Sequence, residues 1–112
     1  MAYDSIFKTD LFAGQTIIVT GGGSGIGRCT AHELAALGAH VLLIGRNADK
    51  LKNVAVEIAE DGGKADWAVC DIREEEAVKH LISVLIRKHG PIHGLVNNAG
   101  GQFPAPLASI NQ

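Results

Sequence analysis

The sequence of 112 residues has little cysteine, no long apolar run and no marked excess of either charge. Its two cysteines, Cys29 and Cys70, form no C-x-x-C pair, and we expect inert, reduced and buried thiols in a cytoplasmic protein. No run approaches the roughly 20 apolar residues of a membrane-spanning helix, and we expect no secretory signal in the first residues. The net charge of −2 predicts that neither nucleic acid nor an anionic membrane is a partner.

The histidines are scattered, and the sequence predicts no metal site. His89 and His93 have the i, i+4 spacing that places two ligands on one face of a helix. The intervening Gly90 and Pro91 break any such helix, so these two rings are not expected to meet at one ion.

What the sequence does contain is an alternation of apolar runs with amphipathic segments. Hydrophobic residues make up 46% and charged residues 20% of the chain, as in an ordinary globular domain. Apolar runs predict strands at residues 16–20, 40–44, 65–70 and 92–97. Helical spacing predicts one helix at residues 25–37, a second between its N-cap Asn47 and Gly62, and a third between the acidic run 74–76 and Lys88. Their predicted buried residues are Ile26, Cys29, Ala31, Leu34 and Leu37, then Leu51, Val54, Ala55 and Ile58, then Ala77, Leu81, Val84 and Leu85.

This order of elements predicts an α/β fold. Strands separated by helices run parallel, because each crossover returns the chain to the same end of the sheet. Continuous apolar strands fit a sheet with helices on both faces. Right-handed crossovers then give a doubly wound, Rossmann-type sheet of four strands in the order 3-2-1-4.

A glycine-rich turn joins the first predicted strand to the first helix. Its spacing is Gly21-x-x-x-Gly25-x-Gly27, which differs from the general G-x-G-x-x-G dinucleotide fingerprint. Glycines allow a tight turn, let a pyrophosphate approach the backbone and permit close packing of helix on sheet. No Lys-Ser or Lys-Thr follows, which excludes a P-loop nucleotidase. A merely tight turn with no ligand is the alternative interpretation.

The end of the second predicted strand bears on the choice of cofactor. An acidic residue there would bind the ribose 2′-hydroxyl of NAD, but the sequence has Arg46 and no acid. An arginine can hold a 2′-phosphate through two hydrogen bonds, and Lys50 could add a second charge. These residues favour NADP or NADPH, and the alternative is a solvated arginine at a helix start.

Three motifs together resemble the short-chain dehydrogenase/reductase family. They are Thr20-Gly21-x-x-x-Gly25-Ile26-Gly27, Asp71-Ile72 and Asn97-Asn98-Ala99-Gly100, in the family's order and spacing. The resemblance implies that the glycine turn lines the phosphates, that Asp71 and Ile72 contact the adenine, and that 98–100 steadies the sheet beside the cofactor. The implied cofactor-binding residues are Gly21, Gly23, Ser24, Gly25, Ile26, Gly27, Arg46, Asp71, Ile72, Asn98, Ala99 and Gly100.

Each of the last two motifs also has a purely structural interpretation. Asp71 could cap the helix that follows it, ahead of Glu74. Asn97 and Asn98 could simply tie neighbouring loops together. Both interpretations stay open beside the cofactor-binding one.

The family's catalytic Ser and Tyr-x-x-x-Lys have no counterpart among these 112 residues. The single tyrosine, Tyr3, precedes the first strand, and Ser109 does not match the family's serine. We therefore expect residues 1–112 to be the amino-terminal part of a single Rossmann-type domain, shortened and without catalytic activity of its own. Within it, residues 1–14 form an extension, 15–100 the dinucleotide-binding unit and 101–112 a loop toward the substrate. The resemblance implies that the full-length form is a homo-oligomer.

The loop 100–106 is similar to that of enoyl-CoA and dienoyl-CoA reductases and of bacterial dehydrogenases of branched terpenoid alcohols. In these enzymes the loop borders the nicotinamide and the substrate, so Phe103 is a candidate for lining an acyl or prenyl site or for packing alone. The expected full-length function is NADP(H)-dependent hydride transfer involving an acyl-CoA or a hydrophobic alcohol or ketone. The alternatives are a non-catalytic nucleotide-binding module and an inert fragment.

Overall fold

The computed structural model describes residues 6–98, which form one parallel sheet flanked by three helices. The elements in chain order are β1 (Thr16–Thr20), α1 (Gly25–Ala36), β2 (His40–Gly45), α2 (Ala48–Glu60), β3 (Lys64–Val69), α3 (Glu75–His89) and β4 (Gly94–Asn97). The strand order is β3-β2-β1-β4 and every pairing is parallel. The predicted fold class and strand order are therefore confirmed.

The register of the sheet brings the carboxyl ends of the strands to one edge. Thr20 of β1 pairs with Ile44 of β2 and with Asn97 of β4. Beyond the strands, the amide of Gly21 donates to the carbonyl of Ile44 at 2.7 Å, and the amide of Cys70 to that of Gly45 at 2.8 Å. The turns that follow β1, β2 and β3 are thereby held side by side.

The side of the sheet under α1 and α2 carries the larger of two cores. Alternate strand residues point to it, because side chains along a strand alternate between faces. We call this set the α1–α2 core; its buried members are Ile17, Val19, Ala31, Ala35, Ala39, Val41, Leu43, Leu51, Val54 and Ile58. Of the predicted buried positions of α2, Leu51, Val54 and Ile58 are confirmed, and Ala55 is only partly buried against this core. Asn47 caps the helix by accepting a hydrogen bond from the amide of Lys50 at 3.1 Å.

The opposite side of the sheet, under α3, carries a smaller core. Its buried members, here called the α3 core, are Ile18, Leu42, Ile44, Cys70 and Leu85. Half-buried residues Ala77, Val78, Leu81 and Ile82 pack against them. Val84, predicted to be buried, is 38% exposed, so that prediction was wrong: the buried stripe of α3 passes through Val78 and Ile82 instead.

Two predicted core positions of α1 are also wrong. Ile26 is 76% exposed and Cys29 is exposed, whereas Gly27, Ala31, His32 and Ala35 face the sheet. The helix is rotated because the side-chain-free Gly27 lets it approach β1 closely on that face. Cys29 is consequently not the buried thiol expected, while Cys70 is buried, and burial raises the pKa of its thiol.

Strand β4 is shorter than predicted, beginning at Gly94 rather than at Ile92. The amide of His93 still donates to the carbonyl of Thr16 at 2.8 Å, but the amide of Thr16 donates to Nδ1 of the His93 ring at 3.0 Å instead of to a backbone carbonyl. None of the helices within residues 6–98 is long and apolar enough to cross a membrane.

Candidate functional site

The glycine turn between β1 and α1 has a backbone that only glycine adopts readily. Gly21, directly after β1, has φ of +66°, and Gly25, the first residue of α1, has φ of +57°. Both values lie in the left-handed region, which costs other residues roughly 1–2 kcal/mol. A Cβ on Gly25 would meet no atom within 4 Å, so the space beside this residue is open.

Gly27 fixes how closely α1 approaches the strand. A Cβ at this position would overlap with the carbonyl oxygen of Gly21 and would lie 2.6 Å from the side-chain nitrogen of Asn98. A Cβ on Gly23 would similarly lie 2.9 Å from the Cβ of Lys50 in α2. The turn is therefore packed from both sides, and its glycines serve close packing as well as backbone freedom.

The amino end of α1 is left available to an anion. Ser24 precedes the helix in an extended conformation, and no side chain of the described chain makes a capping hydrogen bond there. The first turn holds no acidic residue, and Ile26 projects outward beside it. Free amide groups and the positive end of the helix dipole at this point can receive a phosphate.

Hydrogen bonds join the ends of β1 and β4 beneath this turn. The hydroxyl of Thr20 lies 3.3 Å from both the carbonyl oxygen of Val96 and the side-chain oxygen of Asn97, and it accepts from the amide of Asn98 at 2.9 Å. The side chain of Asn98 donates to the carbonyl of Gly21 at 3.5 Å. The proposed loop-tying role of the asparagines is thus present, with Thr20 as its centre. The predicted residues Ala99 and Gly100 lie outside the described part of the chain.

Arg46 lies at the carboxyl end of β2, one residue before the cap of α2. Its side chain is exposed, and Lys50 follows one turn later beside Gly23. An open cleft of about 300 Å³ lies between the glycine turn and α2, and it is bordered by Ser24, Arg28 and Lys50 among others. The two predicted cations, Arg46 and Lys50, therefore lie on the α2 side of the glycine turn, with Asp49 of the first turn of α2 between them in the sequence.

Arg28 of α1 is engaged by an acidic side chain that the sequence analysis missed. Its guanidinium donates two hydrogen bonds to the carboxylate of Glu57 in α2, at 2.9 and 2.6 Å. Nε2 of the buried His32 lies 3.0 Å from the same carboxylate. The hydrogen bond from Arg28 first, and that from His32 second, lowers the pKa of Glu57 to about 2. The spacing of these residues in the sequence does not predict this cluster, because its members meet only when α1 packs against α2.

Asp71 follows β3 and its carboxylate already has a partner. Oδ1 accepts from the amide of Arg73 at 3.0 Å, and the guanidinium of Arg73 donates to Oδ2 at 2.8 Å. These hydrogen bonds lower the pKa of Asp71 to about 2, with a smaller contribution from the charge of Arg46. Asp71 does not cap α3, whose N-cap residue is Glu74; the interpretation as a helix cap was wrong. The neighbouring Ile72 packs on the α3 core.

The structure thus places every described member of the predicted set at one edge of the sheet. The glycine turn lies after β1, Arg46 after β2, Asp71 and Ile72 after β3, and Asn98 after β4. The carboxyl edge of a parallel sheet, where neighbouring crossovers diverge to opposite faces, is where such folds bind ligands.

Comparison with known proteins identifies the family. The sequence model described as "short chain dehydrogenase" matches residues 15–112. The chain belongs to the short-chain dehydrogenase family. Among solved structures, a citronellol catabolism dehydrogenase (AtuB) of Pseudomonas aeruginosa is 69% identical, with a TM-score of 0.86 over 98% of this chain and 45% of that one. A metagenomic short-chain oxidoreductase in complex with NADP is 39% identical, with a TM-score of 0.78 over 88% of this chain and 45% of that one.

Curated short-chain dehydrogenases are similar over most of this chain. A 2,5-dichloro-2,5-cyclohexadiene-1,4-diol dehydrogenase of Sphingobium indicum is 44% identical over 88% of this chain and 39% of its own length. A probable 2,4-dienoyl-CoA reductase of Bacillus subtilis is 35% identical over 86% of this chain and 38% of its own. Both branches that the sequence resembles therefore occur among its relatives. The chain spans about two-fifths of the length of these curated relatives.

Proposed function

We propose that this chain binds NADP or NADPH for a short-chain oxidoreductase. The single observation that carries the proposal is the glycine turn, with an uncapped helix end beside open space and two exposed cations, Arg46 and Lys50, next to it. The cofactor carries the hydride, and the residues of this chain bind and orient it.

The described residues fit such a cofactor. The pyrophosphate would lie at the amino end of α1, against the amides around Ser24, Gly25 and Ile26. The adenine would lie near Asp71 and Ile72, where an amino group can compete with Arg73 for the carboxylate. Asn98 would support the turn from below through the carbonyl of Gly21.

The preference for NADP follows from the charges at the end of β2. A 2′-phosphate carries negative charge that Arg46 can hold through two hydrogen bonds, whereas an acid would repel it. A charge-assisted hydrogen bond contributes roughly 1.5–3 kcal/mol, so Arg46 favours NADP over NAD by about ten- to a hundredfold. The known complex of a relative with NADP supports this assignment.

The test is a titration of the protein with NADPH and NADH, followed by cofactor fluorescence, before and after the substitution Arg46→Ala. We expect NADPH binding to weaken about ten- to a hundredfold and NADH binding to change little, because NADH lacks the 2′-phosphate. Arg87→Ala is the matched control, since Arg87 is an exposed arginine in the last turn of α3. Equal losses for the two cofactors would contradict the role of Arg46.

The reaction itself requires groups outside this set of residues. With Tyr3 as the single tyrosine and no Tyr-x-x-x-Lys, we propose that residues 15–100 form the dinucleotide-binding unit, 1–14 an extension and 101–112 a loop toward the substrate. The family's proton-transferring Ser, Tyr and Lys would belong to a further part of a longer, homo-oligomeric enzyme. Turnover of an alcohol by residues 1–112 alone would contradict this division.

For the substrate we propose a branched, hydrophobic terpenoid alcohol or the acyl-CoA derived from it. The support is the 69% identity with the citronellol catabolism dehydrogenase of Pseudomonas aeruginosa. Reduction of NADP by citronellol, or oxidation of NADPH by an enoyl-CoA, compared with reduction of NADP by a polar sugar alcohol, tests the class. Saturable NADPH binding without turnover of any substrate by the full-length protein would instead support the non-catalytic nucleotide-binding module. Absence of saturable binding would support an inert fragment.

A further inference from the structure

Three potential metal ligands meet at the end of the sheet opposite the glycine turn. His40 is the first residue of β2, Asp66 lies in the neighbouring strand β3, and His89 is the last residue of α3. Nε2 of His40 is 2.9 Å and Nε2 of His89 is 3.8 Å from the same atom, Oδ2 of Asp66. All three ligand atoms lie within 4.8 Å of one another.

His89 is the unusual member of this cluster. Its side chain is 9% exposed, and its Nε2 is buried without a hydrogen-bond partner in the described structure. The ring packs edge-on against that of His40, with centroids 4.9 Å apart and planes at 86°. A buried nitrogen left without a partner destabilises the folded state, so the orientation of this ring toward Asp66 and His40 needs a physical explanation.

We propose that His40, Asp66 and His89 bind a late first-row divalent metal ion, with Zn²⁺ as the reference ion. The ligand atoms are the two Nε2 atoms and Oδ2, and water completes a tetrahedron. With metal–ligand bonds of about 2.0–2.2 Å, adjacent ligands in a tetrahedral zinc site are about 3.4 Å apart. The separations of 2.9 and 3.8 Å from Asp66 bracket that value, so small side-chain movements bring these pairs into place.

The surroundings leave room for an ion and its water. A cavity of about 50 Å³ borders Asp66 and His89 and is otherwise lined mainly by apolar residues such as Leu42 and Leu85. A volume of roughly 10–15 Å³ is enough for one water. Lys88 also borders this cavity, and its charge opposes a cation, which the carboxylate of Asp66 offsets.

The consequence is a tie between α3 and the edge of the sheet. Leu85 is the one buried residue of α3 within the described structure, and the other core-facing residues of this helix are only partly buried. A metal bound by His89 would attach its last residue to β2 and β3. The site is independent of the cofactor proposal, because none of its ligands lies at the glycine-turn edge.

The test is metal binding by the protein, purified without a histidine tag and stripped with a chelator. Zn²⁺ is titrated in competition with a chromophoric chelator, and metal content is measured after dialysis. We expect one zinc per chain, bound more than about a hundredfold more weakly by His89→Ala and Asp66→Asn, beyond the 10–100-fold typical of an outer-shell partner. His80→Ala, an exposed histidine on the same helix, is the matched control and keeps the affinity. No stoichiometric zinc, or unchanged affinity in His89→Ala, would overturn the site.

A second measurement covers the case in which His89→Ala fails to fold. Co²⁺ added to the stripped wild-type protein is expected to give the intense visible bands of a tetrahedral site without thiolate-to-metal charge-transfer absorption, because neither cysteine is a ligand. His40→Gln, a substitution at a partly exposed ring, should abolish these bands while the far-UV circular dichroism is unchanged. Thiolate charge-transfer bands, or bands that persist in His40→Gln, would overturn the proposal.

Discussion

The two sides of the sheet are built differently, although both consist of helices laid on the same strands. Under α1 and α2, helix and strand residues interlock, and α2 buries Leu51, Val54 and Ile58 completely. Under α3, a longer helix buries only Leu85 among its described residues, and Val84 and Ile86 are exposed. Helix length therefore says little about how firmly a helix is held; the match between its apolar stripe and the strand side chains decides that.

The largest expected effect comes from removing equivalent core side chains on the two sides. Ile58→Ala in the α1–α2 core should lower the free energy of unfolding by about 3–4 kcal/mol, because the site is fully enclosed. Leu81→Ala in the half-buried stripe of α3 should cost about 1–2 kcal/mol. Urea unfolding followed by the fluorescence of Trp67 and by circular dichroism measures both. Equal losses would contradict the difference between the two sides.

Close packing of α1 on β1 can be tested at Gly27. Gly27→Ala places a methyl group against the carbonyl oxygen of Gly21, and we expect a loss of about 1–3 kcal/mol in unfolding free energy. Gly94→Ala is the control: Gly94 has no positive φ, and an added Cβ would come no closer than 3.5 Å to Ile17, an ordinary contact. If thermal unfolding shows Gly27→Ala to be as stable as the wild type, the close approach of α1 is not as described.

A smaller difference in stability is expected between the N-cap residues of α2 and α3. Asn47→Ala removes the side-chain cap of α2 and should cost about 1 kcal/mol. Glu74→Ala, at the start of α3, removes a residue that makes no capping hydrogen bond, and we expect a change below about 0.5 kcal/mol. Thermal denaturation of the two variants, side by side, gives the ratio; a larger loss in Glu74→Ala would reverse the interpretation of the two caps.

The smallest effect is expected at the ion pair that joins α1 and α2, and it depends on pH. The folded-state pKa of Glu57, about 2, is below its ordinary value of 4.5, so the stabilisation is complete above pH 4.5 and disappears as pH falls through about 2. Both side chains are more than a third exposed, so Glu57→Gln should cost about 1 kcal/mol or less at pH 7. Melting temperatures between pH 7 and pH 2 should converge for wild type and variant. Glu60→Gln, an exposed neighbour, is the control, and a constant difference across this range would refute the role of the carboxylate.

Sequence patterns predicted the parts of this molecule that depend on local periodicity. The β-branched strand β1, the cap and apolar stripe of α2 and the strand order all followed from residue type, spacing and handedness. Which face of α1 is buried was not predicted correctly. Gly27 and the polar His32 lie on the buried face, whereas hydropathy favours burial of Ile26. At the functional edge, the glycine turn and Arg46 were visible in sequence. The partners Glu57 of Arg28 and Arg73 of Asp71 were not, since which charges meet depends on packing.

The ion pair between Arg28 and Glu57 has a consequence for ligand binding. It holds the first turns of α1 against α2, and α2 in turn begins just after Arg46. The separation between the amides at the start of α1 and the two cations is thereby fixed by the fold itself. In the proposed binding mode, the cofactor therefore meets a surface that is already ordered, and binding does not lose the entropy of ordering it.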